Sequence, residues 1–171
     1  METSRKKALQ RMQKGIVAYQ LNNNGWDVSD HLGDGCDFIA EKNHQFIKIE
    51  LKAIDLAATQ EGKNATQHLS ANELVSSSHL IITVFDGIQM QANYIMSIRQ
   101  FVENSGVKKY ESYRDYKSFM SDYIQLAREQ AARRKNATGK KNRLDFDFNF
   151  NPRHPEKWRL ATFKDQWNNL A

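Results

Sequence analysis

Two short stretches, Gly35-Cys36-Asp37-Phe38-Ile39 and Phe46-Ile47-Lys48-Ile49-Glu50-Leu51-Lys52-Ala53, decide the reading of this chain. Ile47, Ile49 and Leu51 alternate with Lys48, Glu50 and Lys52. A period of two puts one set on each face of a strand. Cys36 to Ala40 reads as a second strand, and the polar run Glu41-Lys42-Asn43-His44 between them predicts a hairpin. With Asn43-His44 as the two-residue turn, Asp37 lies opposite Glu50. Two carboxylates facing each other across a ladder repel. A bound divalent cation, or protonation of one acid, would offset that repulsion. Lys52 adds a third charged group to the same face. A plain polar strand face, with Lys52 bridging the acids, accounts equally for the spacing.

Working outward, Leu9, Met12, Ile16 and Tyr19, widened by Val17 and Leu21, predict an amphipathic helix that stops at Asn22-Asn23-Asn24-Gly25. An extended stretch starts at Trp26 to Val28. Residues 54–69 read as polar and irregular. Ser70 with Glu73 is a capping-box pair opening a short helix to about Ser78. Leu80 to Phe85 is a β-prone run, and Asp86-Gly87 marks a tight turn. Ile88 to Ile98 alternates as a strand with one buried face. From Tyr110 the period returns to helical, with Tyr113, Tyr116, Met120, Tyr123, Ile124 and Ala127 on one face. Residues 133–143 read as a basic loop. Leu144, Phe146, Phe148 and Phe150 alternate with polar residues as a one-sided strand, and Trp158 to Phe163 reads as another. The order predicts one α/β (α+β) domain, a mixed central sheet flanked by helices.

The chain has 171 residues, 25 Lys and Arg against 20 Asp and Glu, a net charge of +5 and one cysteine. That is one domain's worth of material. A single Cys36 excludes an internal disulfide framework and a cysteine zinc cage. No apolar run approaches the roughly 18 residues needed to span a bilayer. The segment Met1 to Lys14 is basic and lacks the apolar centre of a secretory signal, so a cytoplasmic home is expected. Basic residues concentrate in 1–14 and 128–143, which favours a polyanion partner. A solvated surface explains the same runs.

The hairpin trio suits chemistry on a phosphate. A hard cation such as Mg2+ takes oxygen ligands, here Asp37, Glu50 and the Leu51 carbonyl, and a phosphate oxygen. Such a cation lowers the pKa of bound water. Lys52 would orient that water and stabilise negative charge in the transition state.

Asp37 on one strand and Glu50-Leu51-Lys52 on the next resemble the PD-(D/E)xK nuclease superfamily. The proline that names its motif is replaced by Cys36, and Gln13, Lys14 and Gln20 stand where some members carry a helix-borne acid. Four blocks in order also resemble small type II restriction endonucleases of the PvuII type: Gly35 to Ile39, Glu50-Leu51-Lys52-Ala53-Ile54-Asp55, Thr66-Gln67-His68 and Asn151-Pro152-Arg153-His154-Pro155. They span 35–163, about three quarters of the chain. A single His68, with Gln67 beside it, stands where that subgroup has a run of histidines, and Phe150 precedes Asn151 where a second Asn is usual.

The resemblance implies a restriction-endonuclease-like fold over 1–171, with 128–143 a basic loop or insertion and 144–171 a C-terminal DNA-contacting part. It implies a Mg2+-dependent double-stranded DNA endonuclease, Mn2+ substituting, with Asp37, Glu50 and Lys52 catalytic. Restriction is the favoured role. A phage or mobile-element nuclease, homing or structure-selective, and a non-catalytic DNA binder are the alternatives.

Gln67, Asn151 and Arg153 are base-reading candidates, since amides suit adenine and guanidinium suits guanine, and the resemblance implies that His68 lies against the bases. Asn151 before proline is equally an ordinary turn residue, and His68 a surface or capping histidine. Ser70 caps the helix or touches phosphate. Arg133, Arg134, Lys140, Lys141 and Arg143 would clamp phosphates. Trp26, Trp158 and Trp167 read as core or interface aromatics, and Cys36 as a small buried residue. Cutting both strands of a palindrome with one site per chain implies a homodimer.

Overall fold

The turn Asn43-His44 sits at φ of 52° and 63°, the left-handed pair that a two-residue hairpin requires. It joins β2 (Phe38–Lys42) to β3 (Gln45–Asp55), with Phe38 opposite Ile49 and Lys42 opposite Gln45. This is the expected register. The computed structural model describes residues 2–31, 35–106, 110, 112–134 and 146–170.

Around the hairpin lies a mixed five-stranded sheet, ordered β1-β2-β3-β5-β6. β1 (Asp27–Asp30) flanks β2 antiparallel, β5 (His79–Asp86) runs parallel to β3, and β6 (Gln89–Ser97) runs antiparallel to β5. Leu80 to Phe85 are all buried, because β5 is covered on both faces. Ala92 to Met96 of β6 are buried on both faces too, not on one as their alternation predicts.

Two cores result. Val17 and Leu21 of α1 (Glu2–Asn23) pack with Phe38, Ile47, Ile49, Leu51 and Ile81 on one side. On the other, α2 (Ala71–Ser76), α3 (Ile98–Asn104) and α4 (Tyr116–Arg134) pack with Leu80, Ile82, Val84 and the strands β4 (Ala65–Leu69) and β7 (Phe146–Phe150). Phe119 and Phe146 meet edge to face at 5.9 Å in that second core. β4 and β7 form their own antiparallel ribbon, with Thr66 opposite Asn149 and His68 opposite Asp147.

Several sequence expectations give way. The buried residues of α1 are Leu9, Gln13, Val17 and Leu21, a strict four-residue stripe, while Tyr19 is 65% exposed. Gln13, polar and so outside the apolar pattern, is part of that stripe. Residues 65–69, read as irregular, form β4, since their pairing partner lies some eighty positions away. Tyr110 is helical as expected, but the long helix that follows begins at Tyr116, where Asp115 accepts the Ser118 N–H at 2.8 Å. Tyr110 and Tyr113 precede it and pack edge to face on Phe119. That helix runs through Arg134, so Arg133 and Arg134 are helical, not loop, in backbone; 135–145, with Lys140, Lys141 and Arg143, lie outside the described residues.

Trp158 to Phe163 is not a strand. The C-terminal part is a series of short 3-10 turns at Pro155–Lys157, Ala161–Phe163 and Trp167–Leu170. This segment closes the outer edge of β6. Asp165 donates its N–H to the Asn93 carbonyl at 2.7 Å and accepts the Asn93 N–H on its carboxylate at 3.1 Å. Asn169 donates to the Ile95 carbonyl at 3.0 Å. Among the described residues, no helix is long and apolar enough to cross a membrane.

Candidate active site

Asp37 stands one residue before β2, where the ladder ends. Its backbone is fixed on both sides: its N–H donates to the Ile49 carbonyl at 2.8 Å, and its carbonyl accepts from His31 at 3.0 Å. Its Oδ2 accepts the Leu51 N–H at 3.0 Å. The acid is therefore aimed by three strand-like bonds, not by chance rotation. Its Oδ1 faces Lys14 Nζ of α1 at 3.1 Å.

Glu50 and Lys52 share the face of β3 turned toward α2. Lys52 Nζ lies 2.9 Å from Glu50 Oε1 and 2.8 Å from Glu73 Oε1. Glu73 is the third residue of α2, and its other oxygen accepts the Ser70 N–H at 2.7 Å, while Ser70 Oγ accepts the Glu73 N–H. The capping box thus does two things at once: it starts α2 and presents a carboxylate to Lys52. Ser70, expected as a cap or a phosphate contact, is engaged as the cap.

Burial governs the electrostatics. Glu50 is 5% exposed, and loss of hydration pushes its carboxyl up to about 8; Lys52 opposes this, while Glu73 and Asp37 add to it. Burial also works against the Lys52 ammonium, but Glu50 and Glu73 outweigh it and its pKa rises. Burial works against the Glu73 carboxylate as well, yet hydrogen bonds from Lys52 and Ser70 outweigh that and its pKa falls. Without further positive charge, then, Glu50 prefers to be neutral near pH 7. Buried Cys36 lies beside the trio, its thiol pushed up by burial.

These side chains line a cleft of about 690 Å³. Its floor is Asp37, Glu50, Leu51, Lys52 and Glu73; its rim carries Arg5, Lys6 and Lys63 and the β4 residues Thr66, Gln67 and His68. The donors Asp37 and Glu50 are hard oxygens, and a buried carboxyl that is neutral for want of positive charge suits an incoming cation. Among the described residues no three His, Cys, Asp or Glu gather as a metal cage.

Of the other expected contacts, the structure gathers some at the cleft and turns others away. Gln67 lines it, but its amide donates to the Ala53 carbonyl at 2.7 Å. His68 and Thr66 project from the exposed face of β4. Asn151 accepts the Arg153 N–H on its side-chain oxygen at 3.0 Å, the turn-residue alternative. Arg153 lies against Gly62 (φ +80°), where a side-chain carbon would meet its guanidinium at 2.6 Å. Asn151 lines a second cavity of about 380 Å³ with Asn149, His154, Lys157 and Arg159, joined to the first by Asn64, which lines both.

Glu73 joins the site beyond its cap, and Lys14 and Gln13, which stand where a helix-borne acid is expected, bring an ammonium and a buried amide instead. Gln13 is 1% exposed and donates to the Lys52 carbonyl at 2.9 Å and to Thr83 Oγ1 at 3.0 Å. Thr83 passes its own proton to Asn93 at 2.7 Å. The sequence signal was present in the four-residue spacing from Leu9 through Gln13 to Val17.

No protein-family model matches the chain, and no curated protein matches it. Among solved structures, the chain is similar to a bacterial homing endonuclease, I-Ssp6803I, at a TM-score of 0.45 and 14% sequence identity, over 80% of this chain and 99% of that one.

Proposed function

We propose that this protein is a Mg2+-dependent double-stranded DNA endonuclease that hydrolyses phosphodiester bonds. The observation that carries this reading is the Lys52 ammonium clamped between Glu50 and Glu73, at 2.9 and 2.8 Å, in a basic-rimmed cleft that also holds Asp37. Bound between Asp37 and Glu50, Mg2+ would supply Lewis-acid polarisation of a phosphate oxygen and a water of lowered pKa. The chain supplies the rest. Lys52, held in place before substrate arrives, stabilises charge developing on the non-bridging oxygens. Glu73 and Glu50 fix where that ammonium points. Lys6 and Lys63 attract the phosphate backbone to the rim, where Arg5 is already paired with Asp55 at 2.6 Å.

The β4–β7 ribbon is the recognition element of this reading. A two-stranded ribbon fits the major groove, and Thr66, His68, Asp147 and Asn149 lie on its exposed face. One catalytic set per chain implies that two copies act together to cut both strands; a discrete target would make the enzyme site-specific, in a restriction or a homing role. Incubating the purified chain with plasmid DNA, with and without Mg2+, tests the proposal. Discrete Mg2+-dependent fragments are expected. A shift in mobility without cutting at any divalent-ion concentration would reduce the protein to a DNA binder.

A further inference from the structure

Lys14 sits where a positive charge is required, yet it belongs to neither strand of the hairpin. Asp37 has little freedom: its backbone N–H and carbonyl are bonded, and its Oδ2 is held by Leu51. The oxygen left for a cation is Oδ1, and the Lys14 ammonium is on it at 3.1 Å. Lys14 has a second acid within reach, Asp30 Oδ1 at 3.7 Å, at the end of β1. Asp30 is 65% exposed and does not line the cleft, and neither does Lys14. The ammonium thus reaches Asp37 from outside the cleft, within 4 Å of both acids at once.

We propose that Lys14 is an exchangeable counter-ion: its ammonium neutralises Asp37 in the free protein, yields Oδ1 to the incoming divalent cation, and moves to Asp30. The consequence is a cation site that loads weakly in the free protein. Substrate phosphates, which add ligands and negative charge, then tip the exchange. This rests on the cation-dependent reading of the cleft and adds how its loading is controlled.

The test is calorimetric titration of Mn2+ into the DNA-free protein, for the wild type, D37N, K14Q, K6Q and D30N. Lys6 serves as the control, a cation on the cleft rim, whereas the ion pair to Asp37 is made by Lys14. K14Q should bind Mn2+ about tenfold more tightly, whereas K6Q should move the affinity by less than about threefold, because a screened rim charge acts only through the general field. D30N should weaken binding in the wild type and leave K14Q unchanged, since the two residues act as one unit. K14Q no tighter than K6Q, with D37N abolishing binding, overturns the exchange while the cation site stands. Wild-type binding that D37N leaves intact removes the site itself and the exchange with it.

Discussion

The β2–β3 hairpin and the β4–β7 ribbon are both antiparallel strand pairs at the same cleft, and they treat their polar side chains in opposite ways. On the hairpin, charge is turned inward: Asp37 to Leu51 and Lys14, Lys52 to Glu50 and Glu73. On the ribbon, Phe146, Phe148 and Phe150 take the inner face, and Asp147 and Asn149 the outer. Thr66 and Asn149 bond to each other across the strands at 2.7 Å, at the surface. A group that must stabilise a transition state has to be fixed beforehand, in a place of low dielectric. A group that reads a ligand has to remain within its reach. The two strand pairs divide these demands between them.

The sharpest way to break this division is K52A. Cleavage should fall by about 10³-fold or more, the scale of losing a preorganised donor, with duplex affinity nearly unchanged. Gel-based cleavage and a binding titration in Ca2+ would measure both. Normal cutting by K52A would place the chemistry elsewhere.

A second comparison concerns the buried acid. The Glu50 carboxyl is raised to about 8 by burial, so the folded chain holds its proton more tightly than the unfolded chain does. Its contribution to stability is complete below the unfolded value near 4.5 and is lost as pH rises through about 8. Urea unfolding in chelator should therefore show E50Q gaining on the wild type between pH 5 and pH 8, by about 2 kcal/mol, well below the full shift because Lys52 and Glu73 relax with it. Equal pH profiles for the two proteins would mean that Glu50 is not held neutral.

On the ribbon, H68A and N149A should change which sequences are cut by about tenfold each while leaving urea midpoints nearly in place. A loss of stability without a change of target would assign those residues to folding. The smallest effect is expected of S70A, about 1 kcal/mol from the lost cap. Its cleavage should also drop modestly, because the Glu73 N–H loses the Ser70 Oγ that accepts it, loosening the helix turn from which the Glu73 carboxylate reaches Lys52. Unchanged cleavage would separate the cap from the site.

What the sequence makes legible follows from range. The hairpin register, the capping box and the shared face of Glu50 and Lys52 depend on neighbours a few residues apart, and period and turn chemistry suffice to read them. β4 is different: Ala65 to Leu69 become a strand only because Phe146 to Phe150 lie beside them. Lys14 and Gln13 are legible only as positions, standing where the resemblance expects a helix-borne acid; what they do appears only when α1 is laid across β3. Gln13 is also misread on polarity. Its buried amide is acceptable because it has partners on Lys52 and Thr83; left unpaired it would cost about 1–3 kcal/mol. Asn151 and Ser70 show the converse, residues whose ordinary turn and cap duties are the ones observed.

The C-terminal turns have an effect far from the cleft. An outermost strand offers its spare amides and carbonyls as a template on which other chains can grow. Here Asp165 and Asn169 cover those of Asn93 and Ile95. Sheet growth from chain to chain is therefore capped along that stretch, and peeling the turns away would uncover a sticky seam along β6.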